Sequence, residues 1–288
     1  MYLRPESLDD ALAALAARPL AVLAGGTDFY PARVGRPVDD DVLDVSGLSE
    51  LRGIRDEGYL FRIGALTTWT DIVRARLPSQ FRGLQRAARE VGGVQIQNVG
   101  TIAGNLCNAS PAADGVPPLM SLGAQVELRS TEARRVVPLT DFVLGNRRTQ
   151  RGATELVTAV LVPAWATRGG HTVRSTFAKL GARRYLVISI VIVAAALEIS
   201  PTGKITRCGV AVGACAPAAQ RLTALEKSLL GERLTAELPA RAEPSHLAPL
   251  APIDDLRGTA EYRREAALEL IRRALAEMAA EGGAGDWA

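Results

Sequence analysis

The chain has 288 residues, of which 48% are apolar, 23% charged and only 5% aromatic, a globular composition with enough Ala, Val and Leu for two compact units. A net charge of +3, with no dense Lys/Arg block, argues against nucleic acid as a partner. Three cysteines (Cys107, Cys208, Cys215) outside any CxxC arrangement and two histidines argue against a disulfide scaffold or a metal or iron–sulfur site, so whatever chemistry happens here would use a borrowed organic group.

Ser7 ahead of LDDALAALAAR reads as an N-capped helix, with Asp9 and Asp10 in its first turn and Leu8, Leu12 and Leu15 along one side. No positive segment followed by an apolar core precedes it, so no secretory signal is expected. AVLA (21–24) is a short strand running into GGTDFYPARVG, where Thr27 or Asp28 is expected to cap a short helix with Pro31 in its first turn. DVLDVSGL (41–48) is a second strand and completes a small β-α-β unit. YLFRIGAL (59–66) alternates as a strand, and TTWTDIVRARLP (67–78) follows as a helix. FRGLQRAAREVGG (81–93) is a further helix that ends on a Gly pair suited to a C-cap.

VGTIAGNLCNASPAAD (99–114) is either a long turn or a surface that presents backbone amides. After it, PPLMSLG (117–123) is a Pro-led helix, and AQVELRS (124–130), RRVVPL (134–139) and ELVTAVLVP (155–163) are strands. GGHT (169–172) marks a boundary. Beyond it VRSTFAKLG (173–181), YLVISIVIVAAALEIS (185–200) and KITRCGVAVGACAP (204–217) read as three successive strands. The apolar run 185–197 is too short to cross a bilayer and reads as a buried strand, so a soluble cytoplasmic protein without a membrane span is expected. A helix from Thr259 to about Glu281, with Leu268, Ile271, Leu275 and Met278 on one stripe, precedes a Gly-rich end, EGGAGDWA.

The chemistry-bearing candidates are few. Two Gly-rich loops, Ala24-Gly25-Gly26-Thr27-Asp28 and 101–105 with Thr101, Gly104 and Asn105, let backbone approach a ligand and aim free amides at phosphate oxygens; the plainer reading is two tight turns. Neither matches GxGxxG or GxxxxGKS. Asp114 is placed to N-cap the helix after it, alone or while also touching a ligand. Lys179 reads as an exposed strand lysine, Cys107 as a small buried residue, and the Arg pairs 183–184, 263–264 and 272–273 as solvated faces or partner contacts. No Ser-His-Asp order or carboxylate pair stands out, so neither a catalytic residue nor a metal ligand is nominated.

LAGGTDF, IQNVGTIAGNLCNASPAAD, ELVTAVLVP, FAKLGARR and GTAEYRREAALELIRRAL occur in an order and at intervals that resemble the FAD-binding medium subunit of molybdenum hydroxylases, the group of xanthine dehydrogenases and aerobic carbon monoxide dehydrogenases. The resemblance covers nearly the whole chain. It implies an α+β fold: a two-subdomain FAD-binding domain (PCMH-type), then a C-terminal α+β domain with a three-stranded antiparallel sheet and a helical bundle. The implied bounds are 1–172, with subdomains of about 1–56 and 57–172, and 173–288.

By the same resemblance FAD lies between the two subdomains. Ala24, Gly25, Gly26, Thr27, Asp28, Thr101, Gly104 and Asn105 would hold its diphosphate and ribityl region, and Asp114, Leu156, Val157 and Lys179 would complete the site. The implied partners are a large molybdopterin-binding subunit and a small [2Fe-2S] subunit, assembled as a dimer of heterotrimers. The flavin would pass electrons from the small subunit to NAD, a quinone or oxygen. Two departures from many relatives are Gln97 in place of Arg and Leu186 in place of an Asp near the flavin. Two alternatives are a self-contained flavoenzyme of related fold and a non-catalytic nucleotide-binding assembly module.

Overall fold

The computed structural model describes residues 1–35, 37, 39–165 and 168–280; the Gly-rich end and Glu281 lie outside the described residues. The chain opens on a three-stranded parallel sheet. β1 (Tyr2–Leu3) leads to α1 (Leu8–Ala17), capped by Ser7, whose side chain accepts from the Asp10 amide; β2 (Ala21–Leu23) and β3 (Val42–Asp44) follow, with β3 in the middle. Leu8, Leu12 and Leu15 are buried, so the helix covers its sheet with the expected face. The second expected strand is shorter than 41–48, because the Asp44 carboxylate accepts from the Ser46 amide and turns the chain into a single 3-10 turn.

The next sheet has five antiparallel strands in the order β4-β5-β10-β6-β7. β4 (Ile54–Asp56) and β5 (Leu60–Gly64) form a hairpin, followed by α2 (Trp69–Arg74), α3 (Arg82–Glu90), α4 (Val94–Val99), α5 (Ile102–Asn108) and α6 (Val116–Ser121). β6 (Gln125–Arg129), β7 (Arg134–Pro138), α7 (Leu139–Phe142), a small pair β8 (Val143–Gly145) and β9 (Arg148–Thr149), and the central β10 (Leu156–Pro163) complete the unit. Glu127 on β6 ties four strands together: it accepts from Arg62 on β5, Arg134 on β7 and Thr158 on β10. Burial pushes its pKa up, but the hydrogen bonds from Arg62 and Thr158 and the Arg62 charge outweigh this and hold it at about 2.

The last sheet runs β11 (Thr172–Leu180), β12 (Val191–Ile199), β13 (Ile205–Gly213) and a two-residue β14 (Gln220–Arg221), which adds a fourth strand to the three read from the sequence. α8 (Thr223–Leu229) and α9 (Ala260–Ala280) follow. β12 is buried along its whole length because both its faces are covered. Val191, Val193, Ala195 and Leu197 share a core with Leu225, Ile271, Leu275 and Met278, whereas Ala87 of α3 packs with Ile192 and Ala194 from the other face. That is why the sequence shows a continuous apolar run and no alternation.

Two readings need correction here. The run 185–200 does not begin as a strand: Leu186 takes a left-handed φ of 52°, its carbonyl accepts from Arg183, and Tyr185, Leu186 and Ile188 are exposed before β12 starts. Arg263 is not on a solvated face. It is buried, donates to the Ile190 and Ala214 carbonyls and pairs with Asp255, so it pins α9 to the ends of β12 and β13. Among the described residues no helix is long and apolar enough to cross a membrane.

Small residues set how closely the last sheet approaches α3 and α6. A Cβ on Gly209 of β13 would stand 1.9 Å from the Ser121 carbonyl oxygen at the end of α6. Backbone is therefore packed on backbone, and no rotamer change can make room. Gly209→Ala is expected to cost about 1–3 kcal/mol or more, read as a lower denaturant midpoint. An unchanged midpoint would mean that this contact does not constrain the two units.

Candidate functional site

A cleft of about 840 Å³ lies between the loop after β2 and a wall built from α4, α5, β9 and the start of β10. Its existence depends on Gly25, where a Cβ would stand 1.9 Å from the Val99 carbonyl oxygen. The loop of the first unit thus touches the end of α4 directly. Gly26 next to it has a φ of 73°, a conformation that β-carbon-bearing residues rarely take. Gly25 and Thr27 make no hydrogen bond with any described residue, so their amides are open to a ligand. Neither Thr27 nor Asp28 caps a helix: the chain turns through them into a 3-10 segment, Pro31–Arg33, that has no side-chain cap.

The second Gly-rich loop is a helix start. Thr101 N-caps α5, its hydroxyl accepting from the Gly104 amide at 3.1 Å. The Ile102 and Ala103 amides donate to the Thr67 and Ala65 carbonyls. The amides expected to be free at this loop are therefore occupied by the protein. What remains is a side chain: the Asn105 Oδ1 atom is buried without a hydrogen-bond partner and belongs to a residue that lines the cleft. A buried carbonyl oxygen without a donor is costly unless a ligand supplies one.

Ten of the twelve nominated residues line this cleft: Ala24, Gly25, Gly26, Thr27, Asp28, Thr101, Gly104, Asn105, Leu156 and Val157. The ladder between β6 and β10 is irregular at Val157/Ala159, which interrupts the strand where Leu156 and Val157 meet the cleft. Asp114 and Lys179 stand apart as an ion pair at 2.9 Å, with Ser189 also donating to the carboxylate. Asp114 does not N-cap α6, whose cap position is Gly115 with no side-chain bond. Its carboxylate turns toward β11, and the Lys179 side chain is only 8% exposed, not the open strand lysine expected. Burial raises the Asp114 pKa, and the Lys179 charge and hydrogen bond oppose that only in part.

Other cleft residues were passed over in the sequence. Arg33, Arg147, Arg148 and Arg151 line it, with Arg33 stacked 3.7 Å from the Phe29 ring centroid. For the last three the signal was NRRTQR (146–151), an Arg pair with a further Arg three residues on. Trp69, Val91 and Ile96 add apolar wall. Cys107 also lines the cleft, but burial pushes its thiol up to about 11 against a weaker pull from Arg151, so it is a neutral small residue there.

These features fit FAD. Open amides and three arginines without a carboxylate partner among the described residues (Arg147, Arg148, Arg151; Arg33 is paired with Asp40) suit a diphosphate, the orphaned Asn105 oxygen suits a ribityl hydroxyl, and the volume lies in the range of cofactor pockets. The residues present would hold such a group without any metal, and the described residues contain no cluster of three metal-ligating side chains.

Comparison with known proteins agrees with this chemistry. Residues 1–165 match the family described as the FAD binding domain in molybdopterin dehydrogenase, and residues 175–278 match the CO dehydrogenase flavoprotein C-terminal domain. The chain is 36% identical over 226 residues to the nicotinate dehydrogenase FAD-subunit of Eubacterium barkeri, covering 76% of this chain and 74% of that one. It is 31% identical to the carbon monoxide dehydrogenase medium chain of Hydrogenophaga pseudoflava, over 95% of both chains. A reconstituted CO dehydrogenase from Oligotropha carboxidovorans superposes with a TM-score of 0.87 at 30% identity, covering 97% of each chain.

The Asp114–Lys179 pair makes a prediction with a definite sign. A carboxyl whose folded pKa is raised contributes stability below its unfolded pKa that is lost as pH rises through the folded value. Lys179→Met should enlarge this loss, costing about 3–5 kcal/mol at pH 7 by stranding a buried carboxylate. Adding Asp114→Asn to that variant should recover most of the loss and flatten the pH dependence of the melting temperature. A double variant as unstable as the single one would show that the carboxylate is not the cause.

Proposed function

We propose that this chain, which belongs to the FAD-binding subunits of the molybdopterin dehydrogenase family, is the electron-outlet subunit of a molybdenum hydroxylase. The observation that carries this reading is a single cleft lined both by the first loop, whose Gly25 and Thr27 amides are open, and by Asn105, whose buried side-chain oxygen has no donor among the described residues. Bound FAD supplies a ring that takes up electrons singly or in pairs. In our reading Gly25 and Thr27 donate backbone amides to its diphosphate, with Arg147, Arg148 and Arg151 balancing the charge. Asn105 accepts from the ribityl chain, and Leu156 and Val157 provide apolar contact. Asp114 and Lys179 act one step away, holding the segment between α5 and α6 against β11.

The finer assignment is a complex with a large molybdopterin-binding subunit and a small [2Fe-2S] subunit, built as a dimer of heterotrimers in the cytoplasm. Electrons would arrive from the small subunit and leave to NAD, a quinone or oxygen. Relatives of this chain are named for nicotinate, carbon monoxide and xanthine, which supports a division of labour in which another subunit selects the substrate. A self-contained flavoenzyme would need an acid or base beside the cofactor. Apart from arginines, the cleft offers Asp28 and a neutral Cys107, which does not favour that reading.

The first test is a visible spectrum of the chain, purified alone and with its co-expressed partner subunits, with released cofactor identified by mass. FAD near one per chain, and iron–sulfur absorption only in the co-purified complex, are expected. No flavin in either preparation would overturn the assignment.

Asn105→Leu separates binding from folding. The oxygen it removes has no partner among the described residues, so the melting temperature of the apoprotein should hold or rise, whereas FAD content should fall several-fold. Full FAD occupancy in this variant would remove Asn105 from the site.

A further inference from the structure

A second cavity, of about 670 Å³, opens between the last turn of α3, the end of β11 and the loop that precedes β12. It shares no lining residue with the FAD cleft. Five cationic side chains reach it, Arg86, Arg89, Lys179, Arg183 and Arg184, against one carboxylate, Glu90. Two of the five are already neutralised: Arg86 by Glu277 and Lys179 by Asp114. The other three have no carboxylate partner among the described residues. Arg89 donates only to the Gln85 carbonyl, Arg183 only to the Leu186 carbonyl, and Arg184 makes no bond.

Arg89, Arg183 and Arg184 are exposed and line one cavity, so their charges add there and favour an anion between them. The wall that carries two of them is held in place. Arg183 grips the Leu186 carbonyl, and Val187 packs so tightly on Gly181 that a Cβ there would meet its Cγ1 at 2.4 Å. Lys179, at 8% exposure, lines the same space, so the cavity reaches below the surface. Phe177 and Val187 give it an apolar side as well. A cationic mouth, an apolar wall and this volume together match a phosphate-bearing molecule of nucleotide size.

We propose that this cavity binds a soluble, phosphate-bearing ligand of nucleotide size, its phosphates held by Arg89, Arg183 and Arg184. The proposal does not depend on FAD in the first cleft, since the two sites have separate walls. A ligand here would lie against the Lys179–Asp114 pair, which joins β11 to the segment that follows α5.

The test is calorimetric titration of ADP, pyrophosphate and adenosine into the co-purified complex. ADP and pyrophosphate should bind, more weakly as salt is raised, and adenosine should not. In the complex carrying Arg89→Gln and Arg184→Gln in this chain, affinity should fall about tenfold or more, with the melting temperature unchanged. Arg184→Gln alone, at a side chain with no partner among the described residues, keeps the test readable if the double variant is unstable. Arg147→Gln with Arg151→Gln, in the other cleft, should leave this binding intact. The proposal is overturned by equal binding in wild type and the Arg89/Arg184 variant, by loss in the Arg147/Arg151 variant instead, or by no binding of ADP or pyrophosphate. Pelleting with phosphatidylglycerol vesicles in the absence of ADP binding would overturn the soluble ligand in favour of a lipid headgroup.

Discussion

Contact of backbone on backbone, made possible by glycine, sets the geometry on which the rest of this molecule depends. Gly25 lets the loop of the first sheet rest on the Val99 carbonyl, and Gly209 lets the last sheet rest on the Ser121 carbonyl. Side chains in a hydrophobic interface can slide or repack, whereas two main chains in van der Waals contact leave no such freedom. The cleft therefore has two walls at a defined separation, one from each unit. Its binding groups are mostly main-chain atoms and short side chains, which suits a large cofactor that must lie close to the protein along its length.

Charge is distributed with equal economy. Where a carboxylate is buried for structure, as at Glu127, arginines and a hydroxyl surround it and keep it ionised. Where arginines outnumber carboxylates, a cavity lies beside them, and this is so at the first cleft and again between α3 and β11. Buried Asp114 and Lys179 stand between these regimes, a salt bridge that joins two units and whose carboxyl is shifted upward by its own burial. Unmatched cations at a concave surface are the simplest sign that something anionic completes them.

Much of the chain could be read before its fold was seen. Ser7 before two acids, the leucine spacing of α1 and the stripe on α9 follow from helical periodicity, which a local segment expresses by itself. Leu186 and its neighbours were misread because an apolar run looks like a strand whether or not a partner strand extends beside it. Here β11 ends at Leu180, which pairs with Val191, so the residues from 181 to 189 form the connection between two antiparallel strands. Arg263 was misread for the opposite reason: an arginine looks solvated until carbonyl groups from distant strands are found around it.

The order of motifs and their glycines determined, by sequence alone, the family, the FAD chemistry and most of the cleft, because small residues at close-approach points are legible one position at a time. Only the tertiary structure decided which amides remain open. Those at Ile102 and Ala103 are taken by Thr67 and Ala65, carbonyls more than thirty residues away, while Gly25 and Thr27 stay free. It also decided that Asp114 pairs with Lys179 and does not cap a helix. A hydrogen bond or ion pair between residues far apart in the chain is fixed by how sheets and helices stack, and no local pattern records that stacking.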